Sequence, residues 1–294
     1  MSLLESLGFG PDQRVVVVHV DDVGLCSSAN RGFERACESA ATCGSVMVPC
    51  PGFEELVARV AGDPSVDLGV HLTLNCEYAE QRWPALRDDV PSLLAPDGAM
   101  WRTSAEAAAH ASPEEVEREL RAQIERALES GIDVTHLDAH MGTALHLKFT
   151  EIYVRLAREF DLPAFLPRID RAKLAAFGMP DALESYTRIL DDAEAAGLPL
   201  FDHFDSNSLH FEPGTGEAHN RARVRELGPG LSYLITHCVD GGQDLADLSR
   251  DWRQRAEEGR LYSDGTMASV LAEEGVHALG MRALRDWMRR PDRG

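Results

Sequence analysis

The chain has 294 residues, of which 44% are hydrophobic and 27% charged. This composition excludes an intrinsically disordered protein, a fibre and a disulfide-stabilised miniprotein. The formal net charge is −20, from 29 basic and 49 acidic residues. Because such a protein repels phosphate backbones and anionic membrane surfaces, we expect no nucleic-acid and no membrane partner.

The first elements alternate apolar strands with amphipathic helices. RVVVVHV, which ends at Asp21 and Asp22, is a β-branched run typical of a strand covered on both faces. A helix that begins near Ser27 follows it, because serine is a favourable N-cap. The pattern then predicts a strand, a helix and a third strand over residues 44–50, 53–62 and 67–74.

Residues 77–111 interrupt this alternation. They are rich in proline and show little periodicity, which predicts a long insertion or loop. Its two tryptophans, Trp83 and Trp101, would either stack on a sugar ring or hold the loop in place. The helix that follows has the clearest signals, with Ser112 as N-cap, Pro113 at its first position and Gly131 after its end.

The second half of the chain repeats the alternation. It predicts strands over residues 132–140, 162–167, 231–237 and 275–279, with helices over 149–160, 244–259 and 281–290 and helical segments up to about 197. Strands that alternate with helices pair in parallel. We therefore predict one α/β domain over residues 1–294, a closed or nearly closed (β/α) barrel; an open doubly wound sheet is the alternative.

The N-terminal segment MSLLESLGFG lacks the basic and apolar regions of a secretory signal, and the six cysteines form no C-x-x-C pair. These features predict a cytoplasmic protein with reduced, mostly buried thiols.

Acidic and imidazole side chains recur at the predicted carboxyl ends of the strands, where parallel α/β folds place their functional groups. Asp21 and Asp22 end the first strand, His71 lies in the third, and His237 ends the strand over 231–237. Two adjacent carboxylates are costly unless a cation or a shared proton relieves them. Either the pair caps the next helix or one carboxylate binds a metal while the other stays free as a base.

The segment His136-Leu137-Asp138-Ala139-His140 is the strongest single indication of a metal site. In a strand, its two histidines and its aspartate share one face. A carboxylate beside a ligating imidazole commonly fixes the orientation of that imidazole. One aspartate and two histidines leave open positions on a divalent ion, as hydrolysis requires. A polar barrel interior without metal is the alternative. Arg168, which follows a strand end, either binds substrate oxygens or forms a surface salt bridge.

Four stretches resemble the YdjC-like carbohydrate deacetylase family, which includes the chitooligosaccharide deacetylases. They are HVDDVGLCSSANRGFERA, LGVHLTL, THLDAHMG and LSYLITHCVDGG, in the family's order between residue 15 and about 242. The chain departs from the family pattern at Val23 and Cys26, and after His140, where Met141, Gly142 and Thr143 replace further histidines.

The resemblance implies a distorted, incomplete (β/α) barrel and an enzyme that removes acetyl groups from N-acetylated sugars. It implies one divalent ion, zinc or magnesium, held by Asp22, His71 and His140. Asp21 would be the general base and His237 the general acid, with His136 and Asp138 supporting the ligands. The expected partner is a small carbohydrate, and the family suggests a homodimer.

Two other functions are compatible with the same residues. One is a metal-dependent hydrolase of another amide or of an ester; the other is a sugar-binding protein with a degenerate site. The complete set of acidic and imidazole residues favours an enzyme over the binding protein.

Overall fold

A parallel β-sheet forms the centre of the molecule. The computed structural model describes residues 3–176 and 179–290. The strands in this part of the chain are β1 (Arg14–Val23), β2 (Cys43–Val46), β3 (Leu68–Leu72), β4 (Val134–Ala139), β5 (His203–Asp205), β6 (Gly230–Thr236) and β7 (Val276–Ala278). Their order is β4-β3-β2-β1-β6-β5, with β7 beside the start of β1, and every pairing is parallel.

Helices fill the connections that parallel pairing requires. They are α1 (Leu3–Ser6), α2 (Ser27–Cys37), α3 (Phe53–Val60), α4 (Ser104–His110), α5 (Pro113–Glu129), α6 (Leu147–Glu159), α7 (Arg171–Ala176), α8 (Leu183–Ala195), α9 (Gly216–Glu226), α10 (Trp252–Ser263), α11 (Thr266–Glu273) and α12 (Met281–Met288). Short 3₁₀ helices cover Pro91–Leu93, His140–Leu145 and Gln243–Leu245. None of the described helices is long and apolar enough to cross a membrane.

The sheet curves towards a barrel but does not close. Between β4 and β5 the connection consists of isolated bridges, Leu137 to Ala164 and Pro167 to Phe201. The strand predicted over 162–167 is therefore reduced to single bridges, because Pro163 and Pro167 have no N–H group to donate to a ladder. The predicted distorted, incomplete (β/α) barrel is confirmed.

The strand and helix-capping signals in the sequence have the predicted local effects in the structure. The valines of β1 are almost completely buried, since the strand lies between β6 on one side and β2 and β7 on the other. At the start of α5, the Ser112 hydroxyl accepts a hydrogen bond from the Glu115 amide at 3.2 Å. Gly131, with φ of 84°, follows the end of this helix in the left-handed region.

The segment over residues 77–111 is more ordered than its lack of periodicity indicates. It contains α4, which begins with a capping box between Thr103 and Glu106. Trp83 is buried and donates its indole hydrogen to the Asn75 carbonyl at 3.2 Å. Trp101 stacks on His110 with ring centroids 4.0 Å apart. Both tryptophans therefore hold the segment in place.

Candidate active site

The carboxyl ends of four strands meet at one cavity of about 770 Å³. Asp21 and Asp22 reach it from β1, His71 from β3, His140 from the residue after β4, and His237 from the residue after β6. The cavity lies where parallel α/β folds place their active sites. The structure thus brings together residues that are separated by more than 200 positions in the sequence.

Asp22 lies at the centre of a buried group with two histidines. Its Oδ1 is 3.4 Å from His71 Nε2 and 3.2 Å from His140 Nδ1. One ligand atom from each residue lies within 4.8 Å of the others, so the three could hold a metal ion. Asp22 has φ of 60°, a strained conformation that aspartate tolerates better than most residues.

The second ring nitrogen of each histidine is engaged by a carboxylate. His71 Nδ1 donates to Asp138 Oδ1 at 2.5 Å, and His140 Nε2 donates to Glu77 Oε2 at 2.9 Å. In neutral rings, the remaining nitrogens therefore present lone pairs to the Asp22 oxygen. Converging lone pairs in a buried site are unfavourable unless a cation or protons lie between them.

The pKa values of both histidines are raised, which means that the surrounding carboxylates favour a positive charge on these rings. Burial lowers the pKa of His71, but the carboxylates of Asp138, Asp22 and Asp21 together outweigh burial and raise the pKa well above its usual value. Burial also opposes protonation of His140, while Glu77 and Asp22 raise its pKa to about 9. Without metal the site holds protons, so metal binding would release them.

The second oxygen of Asp22 pairs with Arg255, a residue of α10. Arg255 Nη1 donates to Asp22 Oδ2 at 2.6 Å, and its Nε donates to Asp251 Oδ1 at 3.0 Å. Burial raises the pKa of Asp22, but Arg255 and the two histidines lower it well below its usual value. Asp22 is therefore ionised, with one oxygen held by Arg255 and the other facing the imidazoles.

Asp21 lines the cavity and also belongs to a second hydrogen-bonded group, whose histidines are fully buried. Its Oδ1 accepts from His19 Nδ1 at 2.7 Å, and His19 Nε2 is 2.9 Å from His136 Nε2. His136 thus contacts His19 and lies away from the three potential ligands. Gly69 makes room for it, because a Cβ there would lie 2.6 Å from the His136 ring.

Two further groups in the described residues have metal-ligating atoms close together, His19 with Cys43 and His136, and His19 with Asp21 and Asp138. In both, His19 already forms direct hydrogen bonds within the group. All three members of the group around Asp22 line the cavity, whereas His19 does not. The group around Asp22 is the better candidate for a catalytic ion.

His237 lies near the second oxygen of Asp22, with 3.9 Å between its Nε2 and Asp22 Oδ2. Ser208 lies 3.0 Å from His237 Nδ1 and donates to Glu258 at 2.7 Å, so the hydroxyl accepts from the ring nitrogen. These two hydrogen bonds orient the ring, so that Nε2 faces the cavity. Burial and the nearby Arg255 lower the pKa of His237.

Arg168 lies apart from the other predicted site residues. Its guanidinium is exposed and pairs with Glu194, at 2.8 and 2.9 Å from the two carboxylate oxygens. It does not belong to the described lining of the large cavity. Of the two alternatives for Arg168, substrate binding or a surface salt bridge, the geometry corresponds to the surface salt bridge.

A family model described as YdjC-like protein matches residues 15–273. The chain belongs to the YdjC-like family. A carbohydrate deacetylase from Thermus thermophilus is 33% identical over 97% of this chain and 99% of its own length. Another, from Brevibacillus brevis, is 34% identical over 72% of this chain and 89% of its own length.

A solved structure has the same fold. It is a protein from Enterococcus faecalis described as a cellobiose-phosphate cleavage protein, with a TM-score of 0.75 and 20% sequence identity. The match covers 92% of this chain and 99% of that one. At this identity the likeness shows the fold alone.

Sequence reasoning missed three residues of this YdjC-like site. His19 lies two residues before Asp21, and the alternation of strand faces would have placed both on one face. Glu77 follows shortly after β3 and carries only a weak signal. Arg255 comes from a helix 233 residues after Asp22, and no local pattern marks it.

Proposed function

We propose that this YdjC-like protein is a metal-dependent deacetylase that removes the acetyl group of an N-acetylated sugar or oligosaccharide. The convergence of Asp22, His71 and His140 in a large cavity, beside Asp21 and His237, carries the proposal. The two carbohydrate deacetylases that match most of the chain support the substrate class.

The residues present fit a divalent ion. Asp22, His71 and His140 would hold it, because their free ligand atoms converge while Asp138 and Glu77 engage the outer ring nitrogens. Two imidazoles and one carboxylate suit zinc better than magnesium, which prefers oxygen ligands. When bound, such an ion supplies Lewis acidity to the carbonyl oxygen of the amide.

The protein's own residues would then move the protons. Asp21, held by His19, accepts a proton from the attacking water. The water oxygen forms a bond to the acetyl carbon, and the bond from that carbon to nitrogen breaks. His237, whose pKa is lowered by burial and Arg255, must first take up a proton at Nε2; it then donates this proton to the leaving nitrogen, so the products are acetate and the amine. Arg255 keeps Asp22 ionised and in place throughout.

The metal content of the purified protein tests the site. Wild type and His140→Ala are purified without added metal or chelator, and the ions per chain are measured by mass spectrometry. We expect close to one ion in wild type and little in the variant. His210→Ala is the matched control, since His210 is exposed and does not belong to the described cavity lining.

Acetate release from N-acetyl sugars then tests the activity. Wild type and His210→Ala should release acetate, and His140→Ala should not. No ion in wild type, even after zinc and magnesium are added, would overturn the metal-dependent mechanism. A bound ion with hydrolysis of esters only would instead identify a hydrolase of another class.

A further inference from the structure

The cavity has two unlike parts. The polar part contains Asp21 and the candidate metal ligands at the ends of β1, β3 and β4, with His237 after β6 and Arg255 from α10. The segments between β4 and β6, together with β6 itself, contribute a mainly aliphatic and aromatic lining, called the apolar wall: Phe165, Ile169, Leu174, Met179, Phe204 and Ile235. This apolar wall is continuous with the candidate active site, because the same cavity contains both.

A further apolar side chain lies at the rim of the cavity. Met141, directly after His140, lines the cavity and is 55% exposed. It is one of the few large hydrophobic side chains that the described structure leaves exposed. A single exposed apolar side chain is ordinary by itself, but in the lining of this cavity it adds to the surface that an apolar ligand can cover.

Away from the candidate metal site, the cavity offers little to an anionic ligand. Among the described lining residues, Arg255 is the sole lysine or arginine, and it is already paired with Asp22 and Asp251. The Ser104 hydroxyl, which also lines the cavity, is engaged by Thr143 at 2.7 Å. Away from the candidate metal site, a charged substituent such as a phosphate would meet no unpaired lysine or arginine among the described lining residues, and the net charge of −20 would repel it.

We propose that the substrate is an uncharged amphiphile, in which an apolar group of several carbons adjoins the reacting amide and packs on this wall. The inference rests on the proposed function and deepens it. An acetyl group on a hydrophilic sugar would leave the exposed parts of Ile169, Met179 and Ile235 in contact with water. An apolar group would remove that surface from water, which favours binding by about fourfold for each methylene buried.

The apolar group has two chemical sources, and matched substrates distinguish them. Methyl and octyl glycosides of N-acetylglucosamine place the chain on the sugar. N-acetyl- and N-octanoylglucosamine place it on the acyl group. All are assayed with the metal-loaded protein below their micelle concentrations. We expect kcat/KM at least about tenfold higher for the long member of one pair, with N-acetylglucosamine 6-phosphate the poorest substrate.

Variants of the wall test where the apolar group lies. Ile169→Thr and Met179→Gln change half-buried side chains of the wall. Both should reduce the ratio of kcat/KM between long and short substrates by at least about fourfold. Leu128→Gln is the control, because Leu128 is 42% exposed on α5 and does not belong to the described lining.

A binding measurement separates this inference from the proposed function. Calorimetry compares the octyl and methyl glycosides on the same protein and needs no turnover. Tighter binding of the octyl compound, weakened in the wall variants but not in Leu128→Gln, supports the inference even if no amide is hydrolysed. Hydrolysis of N-acetyl sugars with no preference for a long chain in either pair would overturn it and leave the deacetylase intact.

Discussion

The two ends of the barrel both carry buried or half-buried carboxylates, but they neutralise them differently. At the amino ends of the strands, Asp133 precedes β4 and pairs with both Arg282 and Arg285 of α12. At the carboxyl ends, Asp22 faces one arginine and two imidazoles. Arginine has a permanent charge, whereas the charge of an imidazole depends on protons or metal.

This difference distinguishes a structural ion-pair site around Asp133 from the candidate active site around Asp22. The guanidiniums fix Asp133 in one state, so the amino end holds a helix to the barrel. The imidazoles at the carboxyl end can exchange protons for a cation. A series of hydrogen bonds connects the two ends. The Thr135 hydroxyl donates to Asp67 and lies 2.9 Å from His136 Nδ1. The other ring nitrogen of His136, Nε2, contacts His19 Nε2.

The largest effect is expected from Asp21→Asn at the carboxyl end. The amide cannot accept the proton of the attacking water, so kcat should fall on the order of 10²–10⁴. Metal content should stay near that of wild type, because Asp21 does not belong to the group around Asp22. Kinetics and metal analysis on the same preparation check both expectations. Full activity of the variant would contradict the role of Asp21 as general base.

Asp138→Asn should act through His71, the proposed metal ligand that Asp138 orients. The carboxylate accepts from His71 Nδ1 at 2.5 Å, and the amide would do so less strongly and without charge. We expect metal affinity to fall by about 10- to 100-fold, as for other groups that orient a ligating histidine. Titration with zinc against a competing chelator measures it. An unchanged affinity would show that the ring is oriented without this carboxylate.

The sequence predicts the site residues at the strand ends better than the site residues that come from helices and connecting segments. The predicted site residues lie in or directly after apolar runs, at positions that parallel strands place at one end of the barrel. They are Asp21, Asp22, His71, His140 and His237. Their convergence on one cavity was therefore accessible from the sequence.

The partners that complete the site were not accessible. Arg255 arrives from a helix whose position depends on tertiary packing, and Glu77 arrives from an aperiodic segment. The strand pattern over residues 162–167 could not show that its prolines would leave only single bridges. Where a contact depends on how distant elements pack, a local pattern carries no information about it.

At the amino end, Asp133→Asn should affect stability and leave chemistry intact. The substitution removes the charge that Arg282 and Arg285 share. Because Asp133 is 39% exposed, solvent screens the pairs, and we expect a loss of about 1 kcal/mol in the free energy of unfolding. Urea denaturation measures the loss. Reduced metal content or kcat in the folded variant would contradict the separation of the two ends.

The pH dependence of that loss gives the finest comparison. Arg285, with Arg282, lowers the pKa of Asp133 to about 2, below the value of about 3.9 for an unfolded aspartate. A lowered carboxyl pKa stabilises the fold above the unfolded value, and the contribution is lost as pH falls through the folded value. The stability difference between wild type and Asp133→Asn should therefore be constant above about pH 5 and shrink from there towards pH 2. Urea midpoints measured across this range check it; a difference that stays constant down to the lowest pH would mean that the arginines do not hold Asp133 through its charge.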